Sequence, residues 1–142
     1  MTKQSKRLPA LLAALCLLAG CASPGAQVPE ENRYKVALVA KSTQTDFWKA
    51  VFVGAQAAAT EYNMDLTIDG PETEEDYETQ NQMIARAVED GAQALVFSAI
   101  DFDANAPAIE AAADKGVKIV VIDSAVNTED VVTYIGTDNY SA

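Results

Sequence analysis

Short apolar runs alternate with longer amphipathic stretches along most of this chain of 142 residues. Five runs are strand-like, at 36–40, 64–70, 94–99, 117–123 and 131–136. Three stretches between them have helical spacing, at 46–62, 72–91 and 104–115. Strands joined by such helices form right-handed βαβ units, and continuous apolar strands are typical of a parallel sheet covered on both faces. The pattern therefore predicts an α/β fold, a doubly wound parallel sheet in three α/β/α layers.

Polar residues mark the carboxyl ends of the first, third and fourth predicted strands, beginning at Lys41, Ser98 and Asp123. In open α/β sheets, ligands bind beyond the carboxyl ends of the strands. The glycine-rich phosphate-binding motifs GxGxxG and GxxxxGK(S/T) are both absent from the sequence, which disfavours a nucleotide site. The carboxylates, hydroxyls, amide and aromatic rings at these ends suit a neutral polyhydroxylated solute. The candidate ligand-binding residues are Lys41, Thr45, Phe47, Trp48, Asp123 and Ser124.

Several of these polar residues also have a purely structural interpretation. Asp123 ends a buried strand, so its carboxylate either binds a solute or caps the following turn. Lys41 either contacts a ligand or lies ion-paired near solvent. We interpret Asp101 and Asp103 as helix-capping acids, with a binding role as the lesser alternative. The acidic run at 71–76 is interpreted as a solvated helix start rather than a calcium site, because its spacing lacks the EF-hand pattern.

Phe47 and Trp48 are adjacent, and adjacent residues cannot both face one stripe of a helix. The predicted core-facing stripe of the first helix consists of Phe47, Val51, Gly54, Ala55, Ala58 and Tyr62. Thr45 or Asp46 is the predicted N-cap. At least one of the two rings should therefore point away from the core. We expect one ring to anchor the helix and the other, or both in part, to line a cleft.

The inventory of ionisable residues excludes several classes of function. The net charge is -11, and an acidic surface repels nucleic acid. The chain has no histidine, and it has no cysteine beyond residue 21. It therefore lacks the usual ligands of zinc and copper and the Ser-His and Cys-His nucleophile pairs. We expect no metal, no cofactor and no enzyme activity, although chemistry with carboxylates alone stays open.

The first 21 residues have the pattern of an export signal. Three bases precede an apolar run at 8–19 that is too short to span a bilayer. The run leads into the sequence LAGC at 18–21, which resembles the bacterial lipobox, where cleavage leaves a lipid-modified cysteine as the new first residue. We therefore expect a lipoprotein signal peptide at 1–21, lipidation of Cys21 and a flexible tether at 22–33. A plain secretory signal with an incidental cysteine is the alternative.

Three segments together resemble the N-terminal lobe of the ribose-type periplasmic sugar-binding proteins of ABC importers. They are VALVAKSTQTDFWKAVFVGAQAAA, GAQALVFSAIDFDANAPAIEAAADKGVKIVVIDSAVN and YIGTDNYSA, and the resemblance covers about 34–142. It implies that Phe47 and Trp48 contact the sugar ring, that Asp123 holds two sugar hydroxyls and that Lys41 lies near the pocket rim.

Two residues depart from this family pattern. Thr45 stands where the family often has an asparagine or aspartate that bonds sugar hydroxyls. Ser124 stands where ribose receptors have an arginine. The serine at position 124 puts ribose itself in doubt, while the resemblance still implies a sugar or polyol as the solute.

The resemblance also implies the function and the division of the chain. It implies a monomeric, lipid-anchored, extracytoplasmic protein of the cell envelope that captures a sugar or polyol and delivers it to an ABC transporter permease. A sugar-sensing receptor for a chemoreceptor or sensor kinase is the alternative, while the export signal and the acidity disfavour a regulator of the lactose-repressor type. We expect an N-terminal lobe at 34–136 and the start of the interlobe crossover at 137–142, with the second lobe missing. The implied hinge residues are Thr137 and Asp138.

Overall fold

The computed structural model of the protein describes residues 32–137. Its helices and strands follow the predicted order. They are β1 (Lys35–Val39), α1 (Asp46–Glu61), β2 (Asp65–Asp69), α2 (Tyr77–Glu89), β3 (Ala94–Phe97), α3 (Ala106–Asp114), β4 (Lys118–Ile122) and β5 (Thr133–Ile135). Most bounds lie within about two residues of the predicted ones, as expected for ends that fray.

All strands run parallel in one sheet of order β2-β1-β3-β4-β5. The register aligns Val39, the last residue of β1, with Asp69 of β2 and Phe97 of β3. Phe97 is in turn aligned with Val121 of β4. The residues that follow β1, β3 and β4 therefore come together at one edge of the sheet, which we call the carboxyl edge.

Alternate residues of each strand point to opposite faces of the sheet, and each face has its own core. On one face, Val39 packs in a cluster with Ile84 of α2 and Ile109 of α3. On the other face, Leu38 packs in a cluster with Trp48 of α1. Helices thus cover both faces, which confirms the predicted doubly wound parallel sheet with three layers.

The stripe predicted for α1 is wrong at Phe47, Gly54 and Tyr62, which are exposed. The face that packs on the sheet consists of Trp48, Val51, Phe52, Ala55 and Ala59. Thr45 is the N-cap, and its Oγ1 accepts the Trp48 N–H at 3.3 Å. The larger indole of Trp48 thus covers the sheet, and the phenyl ring of Phe47 turns outward.

α2 begins at Tyr77, so the acidic run interpreted as a helix start is instead a loop, at 70–76. The cap sets this start, because the Asp76 carboxylate accepts the Thr79 N–H at 2.9 Å. Hydrogen bonding to the Thr79 side chain, and then to its backbone N–H, holds the pKa of Asp76 below its usual value.

The loop at 70–76 is held close against the end of β1. Ser42 is buried, and its hydroxyl donates to the Glu72 carbonyl at 3.1 Å. A Cβ atom on Gly70 would lie 3.1 Å from the Ala40 carbonyl oxygen, so glycine permits this close approach. The loop therefore crosses the carboxyl edge next to the residues that follow β1.

Candidate functional site

The ammonium of Lys41 lies at the centre of the carboxyl edge. Its Nζ is 3.2 Å from Asp123 Oδ2 and donates a hydrogen bond to Ser124 Oγ at 3.0 Å. The Lys41 side chain is 20% exposed and that of Asp123 is 42% exposed. Solvent screens an ion pair in such a position, so the contact orients the two side chains more than it stabilises the fold. The structure thus brings together three of the predicted site residues.

In the described part of the chain, every hydrogen bond to the Asp123 carboxylate reaches the same oxygen, Oδ2. The hydroxyls of Ser98 and Ser124 donate to Oδ2 at 3.4 Å and 3.1 Å, beside the Lys41 contact. Within residues 32–137, no hydrogen bond reaches Oδ1 and no backbone N–H donates to this carboxylate. The turn-capping interpretation of Asp123 is therefore wrong. Oδ1 instead has lone pairs that a solute hydroxyl can use.

The backbone of Asp123 is in the left-handed region, with φ of 57°. Aspartate, asparagine and glycine adopt this conformation more readily than other residues. Two contacts with β5 hold it there. The Tyr134 hydroxyl donates to the Asp123 carbonyl at 2.7 Å, and the Asp123 N–H donates to the Ile135 carbonyl at 3.0 Å. The backbone therefore fixes the direction in which the carboxylate leaves β4.

The adjacent rings of Phe47 and Trp48 have opposite surroundings. Trp48 is 0% exposed and stacks on Phe52, one helical turn further along α1. Phe47 is 58% exposed, and its ring meets the indole edge-on at a centroid distance of 5.1 Å. Of the two rings, Phe47 is thus the one whose face is open to a ligand. Thr45 is exposed, but its hydroxyl oxygen already accepts the Trp48 N–H.

Glu74 is a neighbour of the cluster that the sequence interpretation missed. Its Oε1 accepts the indole Nε1–H of Trp48 at 2.9 Å, and its Oε2 lies 3.8 Å from Lys41 Nζ. The carboxylate therefore links the buried ring to the ammonium. The sequence does contain an indication of this position. Asp76 lies three residues before Thr79, a spacing typical of an N-cap, and a helix that begins after Asp76 leaves Glu74 in the preceding loop.

Gln80 on α2 is a second residue whose role the sequence did not indicate. It is fully buried, and its amide Nε2 donates to the carbonyls of Ala40 and Ser98, each at 2.9 Å. Its Oε1 accepts the Ile100 N–H at 3.2 Å. One side chain thus joins the ends of β1 and β3, which position Lys41 and Ser98.

The loop after β3 differs from the prediction in detail. The Asp101 carboxylate accepts the N–H groups of Asp103 and Ala104 at 3.0 Å and 2.7 Å, so it caps a turn ahead of α3. Asp103 accepts a hydrogen bond from Asn127 at 2.8 Å and does not cap a helix. Between them, Phe102 is 52% exposed, a second open ring that follows a strand end.

Some predicted features lie outside the described residues. They include the signal peptide at 1–21 with Cys21, all but the end of the tether at 22–33, and Asp138. Thr137 is described and exposed. Among residues 32–137, no helix is both long and apolar enough to cross a membrane. The same part of the chain holds no group of three or more His, Cys, Asp or Glu side chains arranged for a metal ion.

Three of the six candidate residues are exposed, namely Thr45, Phe47 and Asp123, while Lys41 and Ser124 are half-buried and Trp48 is buried. A groove of about 250 Å³ lies elsewhere, between β1, β2 and α2, and Lys35, Asp65 and Arg86 contribute to its polar lining. None of the predicted site residues lines it. The exposed members of the cluster at the carboxyl edge could line a cavity if a second surface faced them.

A protein family and a curated protein each match most of this chain. A family described as periplasmic binding protein domain matches residues 36–142. The D-ribose/D-allose-binding protein of Pseudomonas aeruginosa is 31% identical over 122 residues, which is 80% of this chain and 38% of that protein.

Solved structures share the fold. A carbohydrate transporter solute-binding protein from Agrobacterium radiobacter, in complex with D-arabinose, has a TM-score of 0.74 at 26% identity, covering 78% of this chain and 37% of that one. A sugar transporter from Clostridium phytofermentans has a TM-score of 0.73 at 33% identity, covering 75% and 40%. An ABC transporter solute-binding protein from Agrobacterium vitis, with bound D-fucose, has a TM-score of 0.72 at 28% identity, covering 75% and 38%. The chain spans less than half the length of each of these proteins.

Proposed function

The chain belongs to the periplasmic binding protein domain family, and we propose that it forms one lobe of an extracytoplasmic receptor for a sugar or polyol. The curated relative is named for D-ribose and D-allose, and two solved neighbours hold D-arabinose and D-fucose. These names support a neutral polyhydroxylated solute for this chain. Binding makes and breaks no covalent bond, so the receptor is not an enzyme.

The unused oxygen of Asp123 is the observation that carries this proposal. Oδ2 is held by Lys41 and two serine hydroxyls, while no described residue bonds Oδ1. A carboxylate fixed through one oxygen presents the other to a ligand with little further ordering, and this lowers the entropic cost of binding. Oδ1 would accept hydroxyls of the solute. Lys41 would supply a neighbouring donor, because Asp123 and Ser124 use only two of its three N–H groups.

The exposed ring of Phe47 would cover the apolar C–H face of the same solute. Trp48 would contribute indirectly, because it is buried and supports the Phe47 ring edge-on. Thr45 would lie beside them as the residue that begins α1. Phe102 is a further ring at the carboxyl edge with an open face.

A second lobe would complete the cavity. The exposed candidate residues lie at the carboxyl edge, and the chain covers 38% of its curated relative. We propose that residues 137–142 begin the crossover to that lobe, with Thr137 and Asp138 in the hinge, and that hinge bending closes the two lobes around the solute.

The receptor would deliver its solute to an ABC transporter permease, and Cys21 would anchor it to a membrane through lipid. The transporter names of the solved relatives support the first part. The LAGC sequence at 18–21 supports the second. A sensory receptor remains the alternative role, and recovery of a permease rather than a chemoreceptor or kinase with the purified protein would separate the two.

Asp123→Asn in the complete two-lobed protein tests the binding site. Asparagine tolerates the left-handed backbone, whereas alanine would be strained there. A hydrogen bond to a charged group exceeds a neutral one by about 1–2 kcal/mol, so affinity should fall about 5- to 30-fold. Isothermal titration with D-ribose, D-allose, D-arabinose and D-fucose measures this change.

The control is Asp46→Asn, which removes the same charge from a side chain that is fully exposed. It should leave the affinity unchanged. Equal affinities for the Asp123→Asn and unsubstituted proteins would place the solute elsewhere. The absence of binding for every sugar and polyol tested with the unsubstituted protein would refute the proposed function itself.

A further inference from the structure

Glu74 stands over the candidate site on the loop at 70–76. Its two oxygens have different partners, the indole of Trp48 at 2.9 Å and the ammonium of Lys41 at 3.8 Å. The first contact is a charge-assisted hydrogen bond to a buried ring, which fixes the position of the carboxylate. The second is beyond hydrogen-bond distance, so Glu74 acts on Lys41 mainly through its charge.

One positive charge thus lies between two negative ones. Lys41 is 3.2 Å from Asp123 and 3.8 Å from Glu74, which gives the three residues a net charge of -1. The surrounding loops do not offset this excess. Across 40–45, 70–76 and 98–105, the sequence contains one basic residue, Lys41 itself, and six acids.

Without Glu74, the same cluster would be neutral. Lys41 and Asp123 alone form a balanced pair, and an ammonium has three donors, of which Ser124 and Asp123 use two. The remaining donor could hold a carboxylate or phosphate of a ligand. Glu74 lies beside this remaining donor of Lys41 and adds a second carboxylate to that of Asp123. An anionic ligand that approaches the donor is therefore repelled by both carboxylates.

We infer that Glu74 is a specificity-determining residue that makes the site select uncharged solutes over solutes carrying a carboxylate or phosphate. This inference rests on the proposed function and adds the charge class of the solute to it. A unit charge about 6 Å away, at an effective dielectric constant between about 20 and 80, changes the affinity for an anion by about 3- to 100-fold. Replacing Glu74 by a neutral residue should relax the selectivity by a factor in this range.

Glu74→Gln separates the charge of this residue from its structural contact. The glutamine oxygen still accepts the indole N–H, so the variant removes the charge and keeps the hydrogen bond. The matched control is Glu75→Gln, which removes an equal charge from the adjacent exposed side chain. No described hydrogen bond or ion pair joins Glu75 to the cluster.

The experiment compares sugar and aldonate pairs by isothermal titration of the complete two-lobed protein. The probes are D-ribose with D-ribonate and D-allose with D-allonate. The ratio of sugar affinity to aldonate affinity should fall at least about 3-fold in Glu74→Gln, by the Coulomb estimate above, and stay the same in Glu75→Gln. The affinity for the neutral sugar should change less than the affinity for the aldonate.

Several outcomes would overturn the inference while the proposed function stands. One is a ratio of sugar affinity to aldonate affinity that is the same in Glu74→Gln and in the unsubstituted protein. Sugar binding by both proteins with no detectable aldonate binding by either counts as the same result. Another is an equal change in both variants, which would indicate general surface charge. If no neutral sugar binds to the unsubstituted protein, the result refutes the proposed function itself and not only the role of Glu74.

Salt provides a measurement that does not depend on the folding of a variant. Ions screen exposed charges over about 10 Å at 0.1 M ionic strength. In the unsubstituted protein, the preference for D-allose over D-allonate should therefore weaken as sodium chloride is raised. A preference that does not change with salt contradicts selection by charge.

Discussion

Alanine substitution of Trp48 and of Phe47, one at a time, should separate the roles of two adjacent rings. Trp48 is fully buried, with its indole nitrogen bonded to Glu74. Phe47 is 58% exposed and meets Trp48 only along a ring edge. We therefore expect Trp48→Ala to reduce the free energy of unfolding and Phe47→Ala to reduce solute affinity.

The magnitudes follow from the buried areas. A buried aromatic side chain removes about 200 Å² from water, and at about 25 cal/mol per Å² this amounts to about 5 kcal/mol. Cavity-forming substitutions of tryptophan cost about 3–5 kcal/mol, and this is the expected loss for Trp48→Ala. Phe47 buries about two-fifths as much, so the upper limit for Phe47→Ala is about 2 kcal/mol. Alanine favours the helix by a few tenths of a kcal/mol, which brings the expected loss to about 1.5 kcal/mol.

Urea unfolding followed by far-ultraviolet circular dichroism measures both losses, and the two should differ by at least about 1.5 kcal/mol. Trp48→Phe serves as a second variant if the alanine protein does not fold, because it keeps an aromatic ring and loses the bond to Glu74. For Phe47→Ala, loss of ring contact should weaken sugar binding about 2- to 10-fold. Equal stability losses, or a larger loss for Phe47→Ala, would refute this assignment of the rings.

Two further substitutions test other parts of the molecule. Gln80→Leu would leave three backbone groups at the ends of β1 and β3 without their partner, and should reduce the free energy of unfolding by about 3 kcal/mol or more. Gln82→Leu on the exposed side of α2 is its control, and a loss below about 1 kcal/mol for Gln80→Leu would contradict the proposed positioning role. Cys21→Ser should move the protein from the membrane fraction to the soluble fraction after cell breakage; continued membrane association would rule out lipidation at this residue.

The order of the strands and helices, and the place where their polar ends meet, could be predicted from the sequence. Continuous apolar runs separated by helical spacing allow few architectures, and in a parallel sheet the carboxyl ends of neighbouring strands meet at one edge. The sequence therefore predicts that Lys41, Asp123 and Ser124 lie near one another, and the distances between them agree. Their predicted role as ligand contacts is a separate matter that the proposed experiments address.

The register of α1 and the position of Glu74 could not be predicted in the same way. α1 begins at Asp46 as predicted, but several of its stripes are apolar and spacing does not say which one packs on the sheet. The position of Glu74 depends on the residue at which α2 begins. In α1, Trp48 rather than Phe47 covers the sheet. With Asp76 as the N-cap of α2, the acidic residues before it form a loop that reaches Lys41. Spacing alone does not fix the first residue of a helix, and for α2 the predicted start at 72 lies five residues before the observed one at Tyr77.

The left-handed backbone of Asp123 also limits how this receptor could change its solute during evolution. At φ of 57° the position accepts aspartate, asparagine or glycine with little strain. Most other side chains would be strained there and would reduce the stability of the fold, whatever their effect on ligand binding. Asparagine and glycine are each one base change from an aspartate codon. New solute preferences would therefore arise more readily at Ser124, Lys41 or Glu74, whose backbones carry no such restriction.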